Sequence, residues 1–258
     1  MEQKFFFFDI DNTLAVWPEG KIPNSAQYCI DELQRRGHLV SIATGRIQVD
    51  AMRFAEQARI TNVVADGGHS ITIDGKLVSM IGMNREMCIQ YLEYLESKHI
   101  PWAVTDRNKL GRITPYKEIL EWHPDWDVFK TVVDSEFDFH SVEDFYKIYV
   151  FFKDGEEEEK DIEHMTHKLI RYGEGCVLYE PMEKALGIRN MIGHFDMKPN
   201  QVVVFGDGYN DLSMFRPEWL NIAMGNARPE LKLEADYVTT DCDKDGIYNA
   251  CKHFGWID

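Results

Sequence analysis

Three apolar runs along this chain each stop abruptly at an acid or a hydroxyl residue. Phe5-Phe6-Phe7-Phe8 runs into Asp9-Ile10-Asp11-Asn12-Thr13. Leu39-Val40-Ser41-Ile42-Ala43 runs into Thr44-Gly45-Arg46. Gln201-Val202-Val203-Val204-Phe205 runs into Gly206-Asp207-Gly208-Tyr209-Asn210-Asp211. Short continuous apolar runs predict strands buried on both faces, as in a parallel sheet. Ligands of such sheets lie outside the carboxyl ends of the strands. Asp9, Asp11, Thr44, Asp207 and Asp211 are therefore expected to meet in one crevice. Lys184 stands upstream of the third run, at the mouth of a predicted helix.

Between the runs the pattern alternates strand and helix. A helix is predicted over Ser25–Arg36, closed by Gly37 as its C-cap. Another covers roughly Gln48–Ala58, and Val63-Val64-Ala65 then leads into the turn Asp66-Gly67-Gly68. This β-α-β-α-β series implies right-handed crossovers and a doubly wound parallel sheet. Residues 82–182 read differently. They carry a helix at Arg85–Lys98, strands at Trp102–Thr105 and Tyr146–Phe152, and an acidic helix over roughly Glu156–Arg171. The parallel pattern returns with a helix at Gly187–Phe195 and strands at Gln201–Phe205, Asn221–Ala223 and Tyr237–Thr239. The expected organisation is an α/β core of residues 1–81 and 183–258, with an α+β domain of residues 82–182 inserted into it.

Composition narrows the function. The 258 residues are 44% hydrophobic, enough for a packed core of this size. A formal net charge of −16 argues against nucleic acid and against anionic membrane surfaces as partners. It still permits a small phosphorylated ligand held by local cations and backbone N–H groups. The five cysteines include no C-x-x-C pair and read as reduced thiols of a cytoplasmic protein. Phe5–Phe8 is too short for a secretory signal, and no run approaches the ~18 apolar residues of a membrane span.

Candidate chemistry follows from the strand ends. Asp9 and Asp11 are two carboxylates on one extended exit, so either one stays protonated or a cation binds. Magnesium suits such a place, because it takes a few carboxylates, waters and a substrate phosphate. A carboxylate can also act as a nucleophile towards phosphorus, with a neighbour as acid and base. The Thr44 hydroxyl and the Gly45 backbone suit a phosphoryl oxygen, although Thr44 could equally be a helix N-cap. Lys184 can neutralise a nucleophile and a transferring group. Asp207 leaves its strand as a possible metal ligand. Asn210 and Asp211 lie one turn on, able to hold phosphate, Lys184 or a metal-bound water. Two other patterns carry less. Asp241-Cys242-Asp243-Lys244-Asp245-Gly246 matches the first half of an EF-hand loop, but Lys252 stands where a bidentate Glu is required. His164 and His167 lack a third ligand.

D-x-D-x-T, T-G-R, Lys and G-D-x-x-N-D in this order, each in strand context, resemble the haloacid dehalogenase superfamily of aspartate-based phosphotransferases. The long insertion between the T-G-R and lysine motifs looks like that of Cof-type members with a type IIB cap domain. Met224-Gly225-Asn226-Ala227 and Ala235-Asp236-Tyr237 are also similar to that group. The resemblance implies a Rossmann-like core and a magnesium-dependent phosphatase acting on a small phosphorylated metabolite. It implies Asp9 as nucleophile and Asp11 as general acid and base. Thr44, Gly45, Arg46, Lys184 and Asn210 would serve the phosphoryl group, and Asp211 would support the site. Magnesium would be held by the Asp9 and Asp207 side chains and the Asp11 main-chain carbonyl. The chain departs from the family at the lysine, where K-G-x-A-L reads Lys184-Ala185-Leu186-Gly187-Ile188 behind a glycine-poor approach. It departs again after the third strand, where Asn-Gly reads Asp66-Gly67. Competing readings are a phosphomutase, a phospho-accepting signalling domain, and a non-catalytic binder of phosphorylated metabolites.

Overall fold

The computed structural model describes residues 2–125, 128–153, 162 and 169–258. Among them the strands are β1 (Phe5–Phe8), β2 (Leu39–Ala43), β3 (Asn62–Ala65), β4 (Ser70–Ile73), β5 (Lys76–Met80), β6 (Trp102–Thr105) and β7 (Gly111–Thr114). They continue with β8 (Lys130–Val133), β9 (Lys147–Phe151), β10 (Leu169–Gly173), β11 (Cys176–Tyr179), β12 (Val202–Gly206), β13 (Leu220–Ala223) and β14 (Tyr237–Val238). The helices are α1 (Asn24–Arg35), α2 (Gln48–Ala58), α3 (Arg85–Ser97), α4 (Ile119–Trp122), α5 (Lys184–His194), α6 (Pro229–Leu233) and α7 (Gly246–His253). The chain divides into two compact units, Met1–Met80 with Met182–Asp258, and Ile81–Pro181.

The first unit is an eight-stranded sheet in the order β14-β13-β12-β1-β2-β3-β4-β5. β14 to β3 pair in parallel, and β4 and β5 add an antiparallel hairpin at one edge. All four phenylalanines of β1 are fully buried, as a central strand covered on both faces requires. The hairpin departs from the sequence expectation, which kept residues 66–81 in this unit but placed no strand there. Its signal was legible: Asp74 and Gly75 both have positive φ, and Asp-Gly favours such a two-residue turn. The polar Ser70 and Thr72 masked it, because both are buried. The helix carrying Lys184 also begins earlier than its apolar pattern suggests, at Lys184 itself.

The second unit is a six-stranded sheet in the order β10-β11-β9-β6-β7-β8. Alternation along β9 sends Ile148 and Val150 to one face, where Cys88, Tyr91, Leu92 and Leu95 of α3 cover them. Tyr149 and Phe151 go to the other face, with Ile119 and Phe129. Trp102 is buried among Tyr116, Phe137 and Phe139, and its Nε1 donates to Glu96 at 2.8 Å. It is a core residue of this unit. The predicted acidic helix ends in a correction, since Leu169–Arg171 belong to β10. The rest of that helix apart from Ile162, His164 and His167 with it, lies outside the described residues. No helix among the described residues is long and apolar enough to cross a membrane. All five cysteines are buried and free.

Candidate active site

Parallel pairing places the ends of β1, β2 and β12 side by side, so the residues that follow them converge. Asp9 extends the ladder by one bond, its N–H donating to the Phe205 carbonyl at 3.0 Å. Thr44 does the same on the Val64 carbonyl at 2.9 Å. The centre of the cluster is Lys184, whose Nζ lies 2.7 Å from Asp9 Oδ1 and 2.5 Å from Asp211 Oδ1. The lysine is 1% exposed. Burial opposes its charge, but Asp211 and Asp9 outweigh that and hold the ammonium above its ordinary range.

Asp211 is fully occupied as a brace. Its second oxygen accepts the backbone N–H groups of Asp207 and Gly208, both at 2.9 Å. The turn that follows β12 therefore closes around it, and glycine at 206 is required, since a Cβ there would meet Asp211 at 2.7 Å. Asp207 turns towards Thr13, whose hydroxyl donates to its Oδ1 at 3.0 Å. Thr13 was not among the expected site residues, although the D-x-D-x-T run contains it.

Carboxylate oxygens of Asp9, Asp207 and Asp211 lie within 4.8 Å of one another. This crowding shows in their electrostatics. Burial, then Asp211, raises Asp9 to about 7 despite the opposing pull of Lys184. Burial, then Asp9 and Asp211, raises Asp207 to about 8. One ammonium is too little positive charge for this group, and the oxygen-only donor set suits a hard divalent cation. Both oxygens of Asp211 already accept hydrogen bonds, whereas Asp9 and Asp207 each keep an oxygen that accepts none among the described residues, so these two fit magnesium better.

A pH-dependent response to magnesium follows. An ordinary Asp titrates near 3.8. Between that value and the raised folded values, the folded protein keeps protons that the unfolded chain has released. These two groups therefore contribute stability at low pH that is lost as pH rises through about 7 to 8. A bound cation replaces those protons. We expect added magnesium to raise the melting temperature more at about pH 8 than at about pH 5.5 in differential scanning fluorimetry. Equal shifts at both values would contradict the assignment.

The other expected residues divide. The Asp11 carboxylate faces Arg46, which donates to it from Nε at 2.9 Å and from Nη2 at 2.7 Å. Nη1 of Arg46 goes to Asp50 at 2.5 Å, and the guanidinium stacks 4.6 Å from the Phe54 ring centroid. Arg46 is thus committed to two carboxylates, although it was expected to serve the phosphoryl group. Thr44 does not cap α2, whose N-cap is Ile47; its hydroxyl accepts Arg46 N–H at 3.1 Å. Asn210 shares the turn of Asp211, with its Oδ1 over Gly208, and makes no hydrogen bond to Asp9 or Lys184. In the EF-hand-like loop, Asp241 is paired with Lys244.

The residues at both departures from the family pattern have defined contacts. Asp66 Oδ2 accepts the Gln48 N–H at the start of α2, so an acid caps a helix from across the chain. Gly187 is needed at its own position: a Cβ there would lie 2.4 Å from Val64 and 2.8 Å from Gly68. The neighbouring Ala185 is buried without that conflict.

Comparison with known proteins agrees with the motifs. Residues 6–251 match the family of haloacid dehalogenase-like hydrolases. A Bacillus subtilis protein provisionally named a phosphatase, YkrA, is 30% identical, with 100% of each chain covered. A Streptococcus pyogenes protein provisionally named a bifunctional phosphatase/peptidyl-prolyl cis-trans isomerase is 27% identical over 99% of this chain. The match spans 54% of that longer protein. Among solved structures, the subclass IIB sugar phosphatase BT4131 superposes with a TM-score of 0.78 at 27% identity. The match covers 99% of this chain and 100% of that one.

Proposed function

Because this chain belongs to the haloacid dehalogenase-like hydrolases, we propose that it is a magnesium-dependent phosphatase of small phosphorylated metabolites, a sugar phosphate or similar ester, working through an aspartyl-phosphate. Its enzyme class is phosphoric monoester hydrolase. The observation that carries the finer reading is the buried Lys184 held between Asp9 and Asp211, beside a further carboxylate, Asp207, that still needs positive charge.

Asp9 is the nucleophile. Lys184 holds its Oδ1, and no described residue donates to Oδ2, which is the oxygen left to attack phosphorus. The phosphorus–oxygen bond to the alcohol breaks as the aspartyl bond forms, and water then cleaves the acyl-phosphate. Thr44, the Gly45 backbone and Lys184 bind the phosphoryl oxygens. A magnesium ion held by Asp9 and Asp207 would offset negative charge on the phosphoryl group. Asp11 donates a proton to the leaving oxygen and takes one from the attacking water. Arg46 now holds both of its oxygens, so Asp11 serves only after leaving that pair.

Residues 82–182 are proposed to discriminate between leaving groups, because the motif residues account for the phosphoryl chemistry and read no particular alcohol. The test is phosphate release from a panel of phosphorylated metabolites, by the whole chain and by a variant with this insert replaced by a Gly/Ser linker. The whole chain should prefer a few esters. The shortened chain should hydrolyse small esters slowly and without that preference. No release from any ester rejects the phosphatase reading; a preference that survives shortening rejects the role of the insert.

A further inference from the structure

Thr44 and Lys184, both assigned above to the phosphoryl group, come from segments 140 positions apart. We infer that the turn Asp66-Gly67-Gly68 is a positioning element that sets the distance between them. This inference rests on the phosphatase reading and assigns a role to residues outside the reacting groups.

Gly67 joins the two segments through its own backbone. Its N–H donates to the Thr44 carbonyl at 3.0 Å, and its carbonyl accepts the Glu183 N–H at 2.7 Å. On the Thr44 side the link is doubled, because Asp66 N–H donates to the Arg46 carbonyl at 2.8 Å. On the lysine side the fit is steric. A Cβ on Gly68 would lie 2.2 Å from the Glu183 carbonyl oxygen and 3.1 Å from Lys184 N. One turn further along α5, Gly187 also packs directly on Gly68. The turn thus touches backbone on both sides, where nothing can give without moving the chain.

The turn is itself held in an unusual shape. Asp66, Gly67 and Gly68 have φ of 49, 59 and 109°. Three consecutive residues in this region need a restraint, and Asp66 supplies it by accepting the Gln48 N–H at 3.1 Å. Asparagine offers the same oxygen; alanine does not.

The test compares two glycines with positive φ, one packed against the lysine segment and one open. Gly75, at the tip of the adjoining hairpin, has φ of 75° and nothing within 4 Å of an added Cβ. Both positions hold a positive φ, costlier for alanine at 109° than at 75°, and only Gly68→Ala pushes on Glu183 and Lys184. With p-nitrophenyl phosphate and magnesium, Gly68→Ala should lower kcat/KM by about a hundredfold, the cost of a displacement near 1 Å. Most of the loss should fall in kcat, and tungstate, used as a phosphoryl mimic, should bind more weakly by calorimetry. Gly75→Ala should match wild type in both. Asp66→Ala should lose activity and tungstate affinity, and Asp66→Asn should regain them.

Equal rates and tungstate affinities for the two glycine variants would overturn the positioning role, as would a Gly68→Ala loss confined to thermal stability. If Gly68→Ala does not fold, the Asp66 variants decide, and a fully active Asp66→Ala overturns the role. Wild-type protein with no activity on any ester would instead reject the phosphatase reading, and this role with it.

Discussion

Asp9→Asn should abolish turnover and leave the fold intact. The amide keeps the shape of the carboxylate, and its oxygen can still accept the Lys184 ammonium that Asp9 Oδ1 accepts at 2.7 Å. It cannot attack phosphorus, and it removes a charge from the cation site. The rate should fall below about a hundredth of wild type, beyond what residual acid–base help supplies. Stability should move the other way. The buried Asp9 is repelled by the buried Asp211 and by the part-exposed Asp11, which is part of why it is raised to about 7. Removing its charge relieves that repulsion. In chelator near pH 8, the variant should melt no lower than wild type. A low rate with a lower melting temperature would mean a damaged fold, and a rate above a hundredth would mean another nucleophile.

Exhaustive chelation should cost roughly a hundredfold or more in rate, because a bound cation supplies several kcal/mol of charge stabilisation and about 1.4 kcal/mol is tenfold. Magnesium should restore the rate. Calcium in excess should inhibit, since it accepts more ligands at longer distances and can draw both oxygens of the nucleophile into coordination. Phosphate-release assays over a series of metal concentrations measure both effects. Full activity in the chelated protein would leave Lys184 as the cation of the site, and the raised Asp9 and Asp207 would then need another explanation.

Much of the site is legible because it depends on strand ends. A short continuous apolar run bounded by turn residues fits a strand buried on both faces, and parallel pairing brings its carboxyl end level with those of its neighbours. Asp9, Thr44 and Asp207 follow from that alone. Asp211 follows from the spacing of one tight turn, and Lys184 from its place at a helix start. The second unit was harder to read. Its strands β7, β8 and β10 are short and mixed. The buried Arg112 of β7, covered by the rings of Phe129, Tyr149 and Phe151, breaks the alternation that would mark a strand.

The partners of these residues belong to the tertiary structure. Arg46 was expected at the phosphoryl group because it follows Thr44-Gly45, yet its guanidinium turns to Asp11, 35 positions earlier. Thr13 reaches Asp207 across 194 positions. The exchange of small residues after Lys184 looked like a loosened motif until packing showed that Gly187 must pass Gly68. The sequence by itself determined which residues leave the strands and therefore which elements of the site converge, because hydrophobic patterning selects strand, face and end. Only the folded chain decided where each charge points and which backbone segments brace one another, because directions and close approaches are set between segments distant in sequence and leave no local period to read.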